Sequence, residues 1–367
     1  MKILYLTNQF YLHGGIEKIL SQKINYLLDA GYEVVLCTSE HQNREYVYPL
    51  NKRLKHIDLK VDYIRNKSYF HPKNLIKSWV HFRRLKKIIH HEQPDVIISV
   101  NYTPEQYFIP FIEKKIPKVK EFHSSGDTLY FKNNLIGMLK KQLFSLFNYY
   151  HCLVVLNPDE IKYYPFSNIK VIPNFINLEK GFKIEPTKQK IILAGGRIAP
   201  VKQFDHLIAV WARIGSYFPD WQVKIFGEGD VILTNELKHQ INSLKVNNIQ
   251  LMGSTNQLDK EMQDASVYAM TSANECFPMV LLEAQAAAIS IIAYDCPNGP
   301  RNILENDLSG ILTQPNSIPD FAASLKRLLK DENLRLEMGA RAVKQVKQFS
   351  PENVMGMWED LFKDLNK

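Results

Sequence analysis

The feature that most limits what this chain can fold into is a twice-repeated alternation of short apolar runs with segments of helical period. The first series has apolar runs at residues 3–7, 34–38, 96–100, 118–122 and 152–156, with helical segments at 17–30, 75–91 and 135–150. The second has runs at 190–194, 223–227, 249–252, 267–270 and 290–294, with helical segments at 205–217, 234–244, 279–287, 318–330 and 332–346. Continuous apolar strands separated by helices are the pattern of parallel sheets covered on both faces. The sequence therefore predicts two doubly wound α/β domains with a ligand in the cleft between them. A length of 367 residues, too long for one ordinary core, agrees.

The predicted boundary is Ile172-Pro-Asn-Phe-Ile-Asn-Leu178, which a lysine-rich connector follows as far as Lys190. This gives a first domain at 1–172 and a second at 173–350. The last segment opens with Ser350-Pro351-Glu352, a helix-start signature, and carries Met355, Trp358, Phe362 and Leu365 at helical spacing.

Charge divides unevenly. Residues 1–180 hold 26 Lys and Arg against 16 Asp and Glu, and the remainder hold 20 against 22. Two stripes of helical period, Lys73 to Lys87 and Lys132 to Lys141, interleave cations with Trp79, Phe82, Phe131, Leu135 and Met138. Such stripes can lie on an anionic membrane surface or serve as ordinary amphipathic helices. No nucleic-acid module accompanies them. The apolar run at the N-terminus stops at Thr7, Asn8 and Gln9, too soon for a signal peptide, and no run reaches the ~18 residues of a membrane span. Cys37, Cys152, Cys276 and Cys296 lack metal-ligand spacing and read as reduced thiols. The expectation is a cytoplasmic protein, with any membrane contact peripheral and on the inner face.

Glu275 and Glu283 flank the start of a helix in Ser272-Ala-Asn-Glu-Cys-Phe-Pro-Met-Val-Leu-Leu-Glu, with Pro278 as the expected first helical position. Unpaired amides at a helix N-terminus suit a phosphate, and flanking carboxylates can accept hydrogen bonds from sugar hydroxyls on either side. Read alone, the two glutamates could equally be a solvated helix residue and a partner of the helix dipole. Upstream, Ile191-Ile-Leu-Ala-Gly-Gly-Arg197-Ile-Ala-Pro-Val-Lys202 reads as a buried strand, a glycine turn and a helix opening near Lys202. Arg197 offers a planar fork and Lys202 a point charge, a pair suited to a diphosphate at the carboxyl end of a strand.

Taken together, Gly196-Arg197-x4-Lys202, Phe226-Gly-Glu-Gly229 and Glu275-x7-Glu283-Ala284 resemble the donor half of the bacterial family 4 retaining glycosyltransferases of GT-B fold. Gly14-Gly15 after the first strand, His123 in Glu121-Phe-His-Ser-Ser, and Ile172-Pro-Asn174 extend the resemblance over nearly the whole chain.

The resemblance implies a first, acceptor-binding domain completed by a C-terminal helix at 351–367, and a second domain that binds a nucleotide-sugar. It implies hexosyl or N-acetylhexosaminyl transfer with retention, from a nucleotide-sugar donor expected to be UDP-linked, to a saccharide or lipid-linked saccharide of the capsule, lipopolysaccharide or glycan type. Its catalytic residues would be His123, Glu275, Arg197 and Lys202. Gly14, Gly15, Arg197, Lys202, Gly227, the amides of Met279, Val280 and Leu281, and Glu283 would hold the donor, with Glu283 on the ribose. No cofactor is expected, and no metal, since the sequence has no Asp-x-Asp pair.

The chain departs from the family pattern at three places: Gln203 stands where glycine is usual, Ala288-Ile-Ser290 where Gly-x-Pro is usual, and Asn302 where an acid is usual. Two other readings remain open, a GT-B-fold UDP-N-acetylglucosamine epimerase and a non-catalytic nucleotide-sugar-binding protein at the membrane.

Overall fold

The computed structural model describes residues 1–128, 135–178 and 188–366. Phe131 and Lys132 of the second basic stripe, and the connector at 179–187, lie outside them. The chain divides into two compact units, Met1–Pro173 with Pro351–Lys367, and Asn174–Ser350.

The first unit is a seven-stranded parallel sheet. Its strands are β1 (Lys2–Thr7), β2 (Glu33–Thr38), β3 (Lys55–Asp58), β4 (Val96–Ser99), β5 (Lys118–Glu121), β6 (Cys152–Val155) and β7 (Ile169–Val171), in the order β3-β2-β1-β4-β5-β6-β7. The order reverses direction at β1, the switch point of a doubly wound sheet. Its helices are α1 (Gly15–Asp29), α2 (Pro72–Glu92), α3 (Glu105–Phe108) and α4 (Leu135–Ser145). Helix α1 buries Ile19, Leu20, Ile24 and Leu27, the stripe expected from a 3.6-residue period.

The second unit is a six-stranded parallel sheet of β8 (Gln189–Gly195), β9 (Gln222–Phe226), β10 (Ile249–Gly253), β11 (Ala265–Met270), β12 (Ser290–Tyr294) and β13 (Ile311–Thr313), in the order β10-β9-β8-β11-β12-β13. Around it run α5 (Phe204–Ile214), α6 (Val231–Ser243), α7 (Leu258–Asp264), α8 (Met279–Ala286), α9 (Ile318–Lys330) and α10 (Glu332–Val346). Helix α5 buries Phe204, Leu207, Ile208, Val210, Trp211 and Ile214 in the core of this unit. Each such side chain removed from water contributes about 1.5–3 kcal/mol.

The last helix, α11 (Pro351–Leu365), belongs to the first unit. It buries Val354, Met355, Trp358, Leu361 and Phe362. The Phe362 ring lies 6.1 Å from that of Tyr32, and Asp364 accepts from Lys170 at 2.8 Å. Two sheets of this kind, with helices on both faces and the last helix returned to the first unit, form the GT-B architecture.

Several boundaries differ from expectation. Strands β3, β7 and β13 end their sheets; they have three or four residues, and Lys55-His-Ile-Asp58 and Ile169-Lys-Val171 carry too much polarity to register as apolar runs. Helix α1 starts two residues earlier than Glu17, at Gly15. Pro278 caps α8 instead of opening it, with an extended ψ of 97°, a conformation that its fixed φ permits. The helix expected to open near Lys202 opens two residues on, at Phe204. Pro200–Lys202 is a 3₁₀ turn, and Gln203, with φ 47° and ψ 45°, breaks the chain before α5.

Candidate functional site

In the second unit the candidate donor residues gather at the carboxyl ends of β8 and β11. Leaving β8, the chain turns at Gly196 and Arg197, and Lys202 folds back over the turn. A side chain at Gly196 would come 3.1 Å from the Lys202 Cε. The Lys202 ammonium donates to Glu275 Oε1 at 2.5 Å, both side chains being mostly shielded from solvent. The loops carrying these two residues are tied together. Ala273 N donates to the Val201 carbonyl at 2.7 Å, and the Thr271 hydroxyl reaches the carbonyls of Lys202 and Gln203 at 3.1 and 2.9 Å.

Glu283 lies on α8 and is half-buried. Burial, followed by the charges of Glu283 and Glu275, pushes the Tyr268 hydroxyl well above its ordinary pKa. Tyr268 is therefore neutral, and it sits against Gly195, 3.2 Å from its nitrogen and 3.1 Å from its oxygen. One tyrosine thus braces the glycine turn within electrostatic reach of both carboxylates.

No side chain caps α8. Its Leu281 amide turns back to the Pro278 carbonyl at 2.9 Å, so Met279 and Val280 supply the outward-directed amides of the three expected. Arg197 is exposed. A Cβ on Gly227 would drive into the Gly196 carbonyl, and one on Gly229 into that of Ile198. Both glycines are required for the loops after β8 and β9 to touch. Gly299 likewise admits the Glu275 loop, where a Cβ would meet Glu275 and Pro278 at 2.7–2.9 Å.

In the first unit, His123 follows β5. Its Nε2 stands 3.1 Å from Glu121 Oε1, which also accepts from Lys23 Nζ at 2.5 Å. Lys23 and Glu121 are buried, and the Lys23 ammonium lies 3.8 Å from the centre of the Trp358 ring on α11. Burial raises the Glu121 pKa, but Lys23 and His123 outweigh it and hold the carboxyl at about 2. Burial lowers the Lys23 pKa against the pull of Glu121.

The glycine turn after β1 is arranged differently from expectation. Gly14 is the N-cap of α1, and its amide already donates to the Leu12 carbonyl at 3.0 Å. The Glu17 carboxylate folds over Gly14 into the space a side chain there would fill, and accepts from Gln9 Nε2 at 2.5 Å. A carboxylate therefore occupies the turn proposed for a diphosphate. Gly15 is exposed.

Sequence reasoning missed Glu17, Lys23, Glu121, Tyr268 and Trp358 as parts of these constellations. One signal was available, since Lys23 interrupts the apolar stripe formed by Ile19, Leu20, Ile24 and Leu27.

Two family models match the chain, Glycosyltransferase Family 4 over residues 13–180 and Glycosyl transferases group 1 over residues 176–345. The amylovoran biosynthesis glycosyltransferase AmsD of Erwinia amylovora is 25% identical over 373 residues, covering 98% of this chain and 99% of that protein. An exopolysaccharide phosphotransferase of Streptomyces coelicolor is 32% identical over 200 residues, which are 54% of this chain and only 21% of that relative's length. Among solved structures, Anabaena HepE in complex with UDP superposes with a TM-score of 0.77 at 16% identity, over 99% of this chain and 100% of that one. Fold and family agree: the chain belongs to the family 4 glycosyltransferases of GT-B fold.

Proposed function

We propose that this glycosyltransferase moves a hexose or N-acetylhexosamine from a nucleotide-sugar, with UDP as the nucleotide, to a saccharide or lipid-linked saccharide in bacterial surface-polysaccharide or glycan synthesis. The observation that carries the reading is the convergence of the Lys202 ammonium, the Glu275 carboxylate and the uncapped start of α8 in one unit. An ammonium and helix amides suit a diphosphate, and the adjacent carboxylate suits a sugar hydroxyl. AmsD and the UDP-bound HepE are in accord with polysaccharide synthesis and a UDP donor.

In this reading Arg197, Lys202 and the amides of Met279 and Val280 neutralise the leaving diphosphate without a metal. Glu283 holds the ribose, and Glu275 orients the sugar. As the anomeric C–O bond breaks, the departing phosphate oxygen takes the proton of the acceptor hydroxyl, whose oxygen bonds to the same face of the anomeric carbon. This gives retention without a pair of catalytic carboxylates. His123, held by Glu121, is the first unit's contribution to catalysis. The enzyme works in the cytoplasm, in peripheral contact with the inner face of the membrane through its basic first unit. Among the described residues, no helix is long and apolar enough to cross a membrane.

Thermal stabilisation in EDTA by UDP and GDP, then by UDP-hexoses, UDP-N-acetylhexosamines and GDP-mannose, tests the donor site. A shift with UDP that grows with one sugar is expected. No shift with any of them would sink the reading, and conversion of the sugar without an acceptor would favour the epimerase.

A further inference from the structure

The outward side of α2 is divided along its length. The buried side is made by Asn74, His81, Leu85, Ile89 and Glu92. On the solvent side the first two turns present Leu75, Ile76 and Trp79, which are 50%, 67% and 58% exposed, with Phe70 at 50% just before the helix. The turns that follow present Arg83, Lys86 and Lys87, all exposed. These six helix positions form one stripe by 3.6-residue spacing, apolar at its start and cationic at its end. The Arg83 guanidinium lies over the Trp79 ring at 4.9 Å, where the halves meet.

The stripe carries no negative charge. The one acid of α2, Glu92, is buried and accepts from Lys55 at 2.7 Å. Trp79 is also unlike the other tryptophans, since Trp211, Trp221 and Trp358 are 1–2% exposed. Large apolar side chains held in water beside unneutralised cations fit a surface that is apolar below and anionic above. A second copy laid along the whole stripe would oppose cations to cations in a parallel pairing and cations to apolar side chains in an antiparallel one, and both are unfavourable.

We infer that α2 is the membrane-docking element, with Phe70, Leu75, Ile76 and Trp79 entering the boundary between headgroups and acyl chains of an anionic bilayer and Arg83, Lys86 and Lys87 bonding its phosphates. The inference rests on the peripheral-membrane part of the reading above and names the surface responsible. It is independent of the donor chemistry.

The test is sedimentation of the intact protein with vesicles of equal parts phosphatidylglycerol and phosphatidylcholine, against vesicles of phosphatidylcholine alone. Binding to the anionic vesicles is expected, weakening as salt rises, with a blue shift of Trp79 emission and its quenching by brominated acyl chains. The combined variant Leu75→Ser, Ile76→Ser, Trp79→Ser is expected to keep its melting temperature and UDP response and lose vesicle binding. The variant Arg83→Gln, Lys86→Gln, Lys87→Gln is expected to weaken partitioning about fivefold per cation, on the order of 100-fold together. If the wild type binds but both variants bind equally well, the docking element lies elsewhere and the peripheral reading survives. If the wild type binds neither vesicle, both fail. Concentration-dependent dimers in sedimentation velocity, abolished by the serine variant, would identify a second copy as the occupant and overturn the proposal.

Discussion

The Nε2 of His123 and Oε1 of Glu121 are 3.1 Å apart, and the carboxylate that holds the imidazole is itself held by Lys23. This chain of contacts has a defined pH dependence. The Glu121 carboxyl falls from an ordinary 4.5 to about 2 in the folded protein. A depressed folded pKa contributes stability that is fully present above the unfolded value and is lost as pH falls through the folded one. The first unit is expected to lose stability between about pH 4.5 and pH 2, and Glu121→Gln is expected to flatten that part of the profile. Acid titration followed by circular dichroism decides it; an unchanged acid limb would mean that Glu121 is not ionised in the folded state.

Removing only one partner of the buried pair strands the other. Lys23→Met is expected to cost about 3–5 kcal/mol, and replacing Glu121 as well, by Leu, to recover part of the loss. Urea unfolding of the single and double variants measures both; strictly additive losses would show that the two side chains do not interact.

His123→Ala is expected to lower turnover while leaving UDP affinity close to wild type. Glu283→Ala is expected to weaken UDP binding by about 1–3 kcal/mol through lost ribose hydrogen bonds. Calorimetric titration with UDP beside steady-state kinetics separates the two roles, and an unchanged UDP affinity in Glu283→Ala would remove the ribose assignment.

Ala288 and Gln203, the two places where the family pattern has glycine, both adopt left-handed backbone, with φ of 54° and 47°. A side chain in that conformation carries about 1–2 kcal/mol of steric cost. Ala288→Gly is expected to gain up to about 1 kcal/mol net of the extra entropy glycine loses, raising Tm of the second unit by about 2–4 °C. A lower Tm in scanning calorimetry would show that the strain has been relieved locally.

What could be read in the sequence follows from how each feature is encoded. Central strands such as β8 and β12 are buried on both faces and announce themselves as unbroken apolar runs, whereas β3 and β7 hide among polar residues at the sheet edges. The approach of Lys202 to Glu275 was foreshadowed by motif spacing, although the αL residue at Gln203 just before α5 was not. Glu121 and Trp358 are 237 positions apart in the chain, and nothing local tells either that Lys23 lies between them. Glu17 over Gly14 is the opposite case, a contact across three residues in which the local turn competes with the ligand that the glycine pair suggested.

The backbone leaves the first unit at Pro173 and rejoins it at Pro351. In topological terms the second unit is an insertion, and the first is assembled from the segments on either side of it. During synthesis the second unit can finish folding while the earlier-made unit still lacks the indole that covers Lys23. A nascent chain halted at residue 350 would carry its defect in the half translated first, with the Lys23–Glu121 pair opened to water and the seat of His123 left unfinished.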